Sequence, residues 1–329
     1  MKLTQSITLL LIVLFICACT SVNNQVIKSN IIPEEREQIT IINAHEHIQS
    51  LAQAEKFLES MDKANISKTF LLGSPKATIY GGQGFEDPDS NNAEILNIIH
   101  EYPDRFEALC TIDPRDIDKL EKLQDCVREG SKGLKLYSGH YAMFYKYLGP
   151  LNTTEMDEIY SYCEKNNIPI LFHINLGKEN LLGEFEDILK RYPDLIINCP
   201  HFCLSSIKIS RLRYLFDNYP NVYTDVSFGY FVEDGLKRIS NNASMYHDFI
   251  IKYRNRFMFG TDMVVTANKR KTAEWIYNLT MCYRDMLEKS NYQCVVAPDF
   301  SGNFNGLNLD KDTLKIIYED VPKEFLNMD

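Results

Sequence analysis

The chain has 329 residues, of which 45% are hydrophobic, and a formal net charge of −10 at pH 7. This hydrophobic fraction is enough for a large buried core, and the acidic balance argues against nucleic acid as a partner. The negative charge also gives the chain no electrostatic reason to lie on an anionic membrane.

The first residues predict an export signal. Lys2 precedes a short apolar run at residues 7–16, which ends in the segment CAC at residues 17–19. A basic start, an apolar core and small residues at the cleavage point are typical of a signal peptide. The apolar run is too short to cross a membrane comfortably.

Residues 16–19 also resemble the lipobox of bacterial lipoproteins. The resemblance implies that Cys19 is lipidated and becomes the new N-terminus, and Thr20 after it favours the outer membrane in a cell that has one. We therefore expect a signal peptide at 1–18, a tether at 19–34, and an exported, lipid-anchored protein. An ordinary signal peptide that is cut nearby is the alternative.

Beyond the tether, strand patterns and helix patterns alternate. Apolar runs predict strands at 40–44, 68–72, 106–112, 133–137, 169–173, 195–199, 222–225 and 256–259. Three- and four-residue spacings predict helices at 52–64, 93–102, 117–130, 152–166, 182–191, 206–219, 244–253 and 269–289. Eight such alternations indicate a (β/α)8 TIM barrel, which we expect to form one domain over 35–329.

In a TIM barrel the active site forms at the C-terminal ends of the strands, so polar residues there are the candidates. The predicted strand ends carry His45, His47, His173, His201 and Asp262. Because a strand alternates its two faces, His45 and His47 point the same way, as a pair of metal ligands would. One core histidine and one solvated histidine would give the same short pattern, so its meaning depends on the other strand ends.

These motifs together resemble the amidohydrolase superfamily, and most closely its branch of metal-dependent hydrolases and aminocarboxymuconate-semialdehyde decarboxylases. The motifs are INAHEH at 42–47, HEYPDRFEALCTIDP at 100–114, GLKLY at 133–137, PILFH at 169–173, CPH at 199–201 and FGTD at 259–262. The chain departs from the family at Asn43, where Asp is common, and at 318–322, which lacks the usual Asn-Ala. Neither departure removes a ligand.

The resemblance implies one divalent metal ion held by His45, His47, His173 and Asp262, with zinc ahead of manganese on ligand type. Asp262 and His201 would be the catalytic residues. The implied reaction is hydrolysis of an amide, ester or lactone of a small molecule by a metal-bound water. Non-oxidative decarboxylation of a small carboxylic acid is the alternative, and a non-catalytic binding lipoprotein is the third reading. A homodimer is left open.

Three further residues are candidates for substrate binding. Lys135 lies on strand 4, where two-metal members of the superfamily carry a carbamylated lysine, but the residues that follow it match the one-metal branch. We therefore expect an unmodified cation at Lys135, with Arg115 after strand 3 as a second cation. His140 follows strand 4, and the long loop 73–92 is predicted to be functional because of its length.

The cysteines beyond the signal region are odd in number, and several lie inside apolar runs. They are Cys110, Cys126, Cys163, Cys199, Cys203, Cys282 and Cys294. A free cysteine in an apolar run behaves as a small hydrophobic side chain. We expect mainly buried thiols, with at most one disulfide.

Overall fold

A computed structural model describes residues 39–75, 85, 87–138, 150–204 and 208–328 of the chain. Nine strands in these residues form one sheet, and every pairing within it is parallel. They are β1 (Ile42–Ile48), β2 (Lys68–Leu72), β3 (Phe106–Thr111), β4 (Gly133–Ser138), β5 (Ile170–Ile174), β6 (Ile197–Asn198), β7 (Val222–Asp225), β8 (Phe257–Met258) and β9 (Met263–Val265).

Helices follow most of the strands, as alternating patterns require of a parallel sheet. They are α1 (Ala54–Lys63), α2 (Pro88–Glu101), α3 (Lys119–Arg128), α4 (Thr154–Lys165), α5 (Glu179–Arg191), α6 (Pro200–Cys203), α7 (Ile209–Asn218), α8 (Val232–Asn241), α9 (Ala243–Lys252), α10 (Ala273–Glu288), α11 (Lys311–Lys315) and α12 (Val321–Phe325). A π-helical segment, Ile316–Asp320, joins α11 to α12. Among the described residues, no helix has the length and apolar character to cross a membrane.

The sheet closes into a barrel through its last segment. β8 pairs with β7, and β9 pairs with β1 on the other side. Between them, the amide of Ala44 donates to the carbonyl of Phe259 at 2.8 Å. The predicted (β/α)8 barrel is confirmed. Its eighth strand is split into β8 and β9, and Asp262, in the break between them, has a left-handed backbone with φ 52°. The second part, β9, lies beyond the predicted end of the strand.

Apolar side chains fill the inside of the barrel. Ile42, Phe70, Leu109 and Leu171 are fully or almost fully buried there. Val321, Phe325 and Leu326 near the C-terminus belong to the same cluster, so the last helix covers the barrel interior. A larger apolar cluster joins the outer faces of the strands to the helices. Packing on both faces explains why the strands read as continuous apolar runs.

An antiparallel hairpin, β10 (Asn291–Val296) with β11 (Phe300–Asn305), follows α10 and was not predicted. Its first strand alternates exposed and buried residues, as expected for a strand that packs on one face only. A disulfide from Cys282 to Cys294 links this strand to α10.

A second disulfide joins Cys110 on β3 to Cys126 on α3. The expectation of at most one disulfide is therefore wrong. Sequence spacing does not reveal that each of these thiols faces its partner across neighbouring elements. Cys163, Cys199 and Cys203 are buried and form no disulfide with any described residue, as expected of buried thiols.

Candidate metal centre

The two histidines of β1 meet the carboxylate of Asp262 at the C-terminal end of the barrel. The Nε2 atom of His45 lies 3.2 Å from Asp262 Oδ1, and the Nε2 atom of His47 lies 3.3 Å from the same oxygen. His45 is fully buried and His47 nearly so. Two residues that are close in sequence and a third that is more than 200 positions away thus have their side chains directed at one point.

Hydrogen bonds on the other ring nitrogens set the tautomers of these histidines. His45 Nδ1 lies 2.8 Å from Asp225 Oδ2, and His47 Nδ1 lies 3.1 Å from the carbonyl of Leu72. Carboxylate and carbonyl oxygens only accept, so each Nδ1 carries the hydrogen and each Nε2 presents a lone pair. Both lone pairs therefore face the negative oxygen of Asp262.

Such an arrangement fits a cation between the three groups. A lone pair and a carboxylate oxygen repel each other, and His45 Nε2 is a buried atom with no hydrogen-bond partner among the described residues. Two imidazole nitrogens and a carboxylate oxygen are a donor set that zinc or manganese accepts. Without a metal ion, a proton takes that place: burial opposes it, but Asp262 and Asp225 raise the pKa of His45 to about 9.

His201 stands on the other side of the same carboxylate. Its Nε2 atom lies 3.4 Å from Asp262 Oδ2 and 3.2 Å from His173 Nδ1. The structure thus brings His173 to the cluster beside His201. Burial lowers the pKa of His201, although Asp262 and Asp225 oppose this shift. The ring of His201 is therefore neutral at pH 7.

The backbone that carries His201 differs from the predicted strand end. β6 ends at Asn198, and His201 lies in the short α6 turn, where it and the next three residues have positive φ of 48° to 61°. L-residues rarely adopt this conformation. The amide of His201 donates to Asp225 Oδ1 at 3.1 Å, and its Nδ1 lies 2.8 Å from Ser227 Oγ. These bonds turn Nε2 towards Asp262.

Asp225 is the site residue that sequence reasoning missed. It is the fully buried last residue of β7, and it accepts hydrogen bonds from His45, from the amide of His201 and from the hydroxyl of Ser227. Burial alone would raise the pKa of Asp225, but His45 and these donors hold it well below its usual range. The signal was present, because Asp225 is a polar residue at a predicted strand end.

Gly229 lies against Asp262 in the turn after β7. A Cβ atom at this position would come within 2.4 Å of Asp262 Oδ2, and φ at Gly229 is +53°. Both the space and the left-handed backbone therefore require glycine. The main chain at Gly229 therefore packs closely against Asp262 on its Oδ2 side.

The three predicted substrate contacts have different outcomes. Lys135 is fully buried, its Nζ lies 4.5 Å from the centre of the Tyr137 ring, and that Nζ has no hydrogen-bond partner among the described residues. Burial lowers the pKa of Lys135 to about 7, although Asp262 and Asp225 oppose this shift. Arg115 is half-exposed and its Nε donates to Asp113 Oδ1 at 2.9 Å. His140 lies outside the described residues.

Two other predicted features are also outside the described part of the chain. Cys19 belongs to the undescribed N-terminal residues, and in the loop 73–92 residues 76–84 and 86 are not described. Asn91 and Asn92, at the end of that loop region, belong to α2 and bind backbone near the site. The amide oxygen of Asn91 accepts from the amide of Ser74 at 2.8 Å, and Ser74 Oγ lies 2.8 Å from His47 Nδ1.

Comparisons with known proteins agree with this fold. A family model described as Amidohydrolase matches residues 80–285, which is more than half of the chain. No curated protein matches the chain. Among solved structures, the chain resembles a probable 2-pyrone-4,6-dicarboxylic acid hydrolase from Acinetobacter baumannii with citric acid bound. The identity is 16% and the TM-score 0.60, over 88% of this chain and 100% of that one.

Two further solved structures are similar. A 4-oxalomesaconate hydratase from Rhodopseudomonas palustris has 15% identity and a TM-score of 0.55, over 88% of this chain and 96% of that one. A 5-carboxyvanillate decarboxylase from Novosphingobium aromaticivorans, complexed with manganese and a nitrobenzoic acid, has 16% identity and a TM-score of 0.52. That match covers 89% of this chain and 97% of the decarboxylase. At these identities the likeness shows a common fold, and the three named activities differ.

Proposed function

This chain belongs to the amidohydrolase family, and on that premise we propose that it is a metal-dependent hydrolase of an amide, ester or lactone in a small molecule. The supporting observation is the position of Asp262 between two sets of histidines. Its Oδ1 atom faces His45 and His47, and its Oδ2 atom faces His201. One carboxylate can thus bind a metal ion and exchange a proton with a neighbouring base.

His45, His47 and Asp262 would hold the divalent ion, with His173 as a further ligand. When bound, the ion would supply Lewis acidity, which lowers the pKa of a water molecule and polarises a carbonyl group. Zinc is the first candidate on ligand type and manganese the second. Elemental analysis of the purified protein tests this assignment, and protein that contains no divalent metal under any growth condition would favour a non-catalytic binding protein.

The proton path follows from the distances around Asp262. As water attacks the substrate carbonyl, Asp262 Oδ2 accepts the proton that the water loses. His201 Nε2 lies 3.4 Å away and carries a lone pair, because the hydrogen of this ring is on Nδ1 and points at Ser227. The proton then moves to His201, which gives it to the leaving nitrogen or oxygen.

Decarboxylation is the second candidate, and Lys135 is in a position to supply the cation that this reaction needs. A non-oxidative decarboxylase needs a cation that holds the substrate carboxylate near the metal. Lys135 is buried, and its Nζ has no hydrogen-bond partner among the described residues. Burial lowers the pKa of Lys135, whereas the charges of Asp262 and Asp225 raise it and so favour the cation. The same lysine would also hold a carboxylate on a hydrolase substrate, so its presence does not separate the two reactions.

A substrate panel with the metal-loaded protein separates them. Acid release without CO2 supports the hydrolase, and CO2 release with no bond hydrolysed replaces it with the decarboxylase. His201→Ala and Asp262→Asn should each remove most of the turnover on any substrate that emerges. Full turnover by both variants would refute the roles given to these two residues.

We also propose that the protein is exported and anchored through a lipid on Cys19. The two disulfides support this proposal, because disulfides persist in oxidising compartments outside the cytoplasm. A clickable fatty acid fed to cells should label the protein, and Cys19→Ala should abolish the label. A label that persists in Cys19→Ala would refute the anchor.

A further inference from the structure

We infer that Glu46, the residue between the two histidines of β1, is a positioning residue that holds Asp262 against them. This inference concerns the same site and rests on the proposed function for its importance to metal binding. Glu46 is not one of the residues whose side chains face the metal position. It acts on the backbone that carries Asp262.

The carboxylate of Glu46 binds both sequence neighbours of Asp262. Its Oε2 atom accepts from the amide of Met263 at 2.9 Å, and its Oε1 atom accepts from the hydroxyl of Thr261. Oε1 also accepts from Asn43 Nδ2 at 2.5 Å. Glu46 is fully buried, so these bonds do not compete with water.

Asp262 needs such support because the sheet does not hold it. β8 ends at Met258 and β9 begins at Met263, so Asp262 lies in the break between two strands. Its φ of 52° is unfavourable for a residue with a Cβ atom. One backbone bond, from its amide to the carbonyl of His45 at 2.8 Å, ties it to β1.

An irregularity in β1 brings Glu46 to this position. The pairing of β1 with β2 shifts register between Asn43 and Glu46. As a result the two side chains meet, and Asn43 Nδ2 also lies 3.3 Å from Thr261 Oγ1. The same short segment of β1 therefore supplies two histidines to the cluster and the carboxylate that fixes Asp262 opposite them.

The acceptor positions of Glu46 matter as well as its shape. Two side-chain donors and one backbone amide point at its two oxygens, which accept all three hydrogen bonds. Glutamine has nearly the same shape but turns an amide NH2 group towards at least one of these donors. Glu46→Gln should therefore loosen Thr261 and Met263, and with them Asp262, without opening a cavity.

Chelator competition with Zn2+ measures the consequence. We expect Glu46→Gln to weaken zinc binding at least about tenfold, the usual effect of losing an outer hydrogen bond at a metal site. Glu184→Gln is the matched control, because Glu184 is also buried but accepts from the amide of Leu151. It should bind zinc as the wild type does, and equal losses in the two variants would overturn the inference.

A double-mutant cycle distinguishes positioning from a general loss of structure. If Glu46 acts through Asp262, then Glu46→Gln should add little to the loss already caused by Asp262→Asn. Full additivity of the two losses would overturn the inference. Co2+-loaded protein adds a spectroscopic readout, since Glu46→Gln should change the visible absorption of the bound ion and Glu184→Gln should not.

Thr261 offers a second variant pair if Glu46→Gln does not fold. Thr261→Val removes the hydroxyl that donates to Glu46 with little change in volume, whereas Thr261→Ser keeps it. We expect weaker zinc binding in Thr261→Val and near wild-type binding in Thr261→Ser. Weakening that is the same in both would contradict the role of this hydrogen bond.

Crystals of metal-free Glu46→Gln test the inference without any metal. The distances from Asp262 Oδ1 to His45 Nε2 and His47 Nε2, now 3.2 and 3.3 Å, should grow by about 1 Å. An unmoved Asp262 would overturn the inference. If the wild type binds no metal but Asp262 moves in the variant, the proposed function fails while the positioning role of Glu46 stands.

Discussion

Asp225 Oδ2 lies 2.8 Å from His45 Nδ1, so the last residue of β7 determines the tautomer of a histidine on β1. Both side chains are fully buried, and the same carboxylate also binds the amide of His201. A carboxylate behind a ligating histidine orients the ring and makes its other nitrogen a better ligand. Asp225 therefore connects the two sides of the site.

Asp225→Asn should weaken zinc binding by about 10- to 100-fold. The amide is a poorer acceptor for His45, and its NH2 group would face donors on His201 and Ser227. Chelator competition measures the effect, with Asp285→Asn on α10 as the control, since Asp285 pairs with Lys289. Unchanged zinc affinity in Asp225→Asn would contradict the orienting role.

Gly229→Ala should also impair metal binding and turnover. The added Cβ would lie 2.4 Å from Asp262 Oδ2, and alanine disfavours the φ of +53° found there. Gly183→Ala is the matched control, because a Cβ at Gly183 within α5 meets nothing within 4 Å. That helix substitution should raise the free energy of unfolding by about 0.5–1 kcal/mol. Normal zinc binding in Gly229→Ala would be evidence against the close packing at Asp262.

Lys135→Met should stabilise the metal-free protein while it impairs turnover. The pKa of Lys135 is about 7 when folded and near 10.5 when unfolded, so the unfolded chain binds more protons between these values. The cost of burying the charge is therefore full below pH 7 and fades as pH rises towards 10.5. The stability gain of Lys135→Met should be largest at acidic pH.

Urea unfolding at pH 6 and pH 9 measures this difference. The gain of Lys135→Met should be a few kcal/mol at pH 6 and clearly smaller at pH 9. Lys63→Met is the control, since Lys63 is exposed and pairs with Glu59 on its own helix. A gain for Lys135→Met that does not depend on pH would mean that this lysine keeps its ordinary pKa, and therefore its charge, inside the folded protein.

The disulfide between Cys282 and Cys294 should stabilise the attachment of the hairpin to α10. Replacing both by Ala should lower the free energy of unfolding by about 2–4 kcal/mol, since the bond closes a loop with a sequence separation of 12. Cys163→Ala, which removes a buried free thiol, is the control. Reductant should lower the stability of Cys163→Ala more than that of the double variant, and equal responses would argue against this bond.

Much of the fold and most of the proposed ligands were readable from local patterns. Alternating apolar runs and helical spacings predicted the barrel, because period and length depend on nearby residues alone. The barrel rule then selected His45, His47, His173 and Asp262, since parallel strands end at one edge. The hairpin β10–β11 was missed because its alternation is short and interrupted by polar residues.

Contacts between distant residues were decided only by the tertiary structure. His45 and Asp225 are 180 positions apart, and Glu46 and Met263 are 217 positions apart. The left-handed turn at His201 was also not predictable from the sequence, because the residue types in this turn do not favour a positive φ. The sequence alone indicated most of the side chains that are candidates for the chemistry, since residue type and strand position are local properties. Barrel closure decided how those side chains are oriented, because it pairs β9 with β1 and brings Asp225, at the end of β7, to His45. No local pattern encodes these contacts.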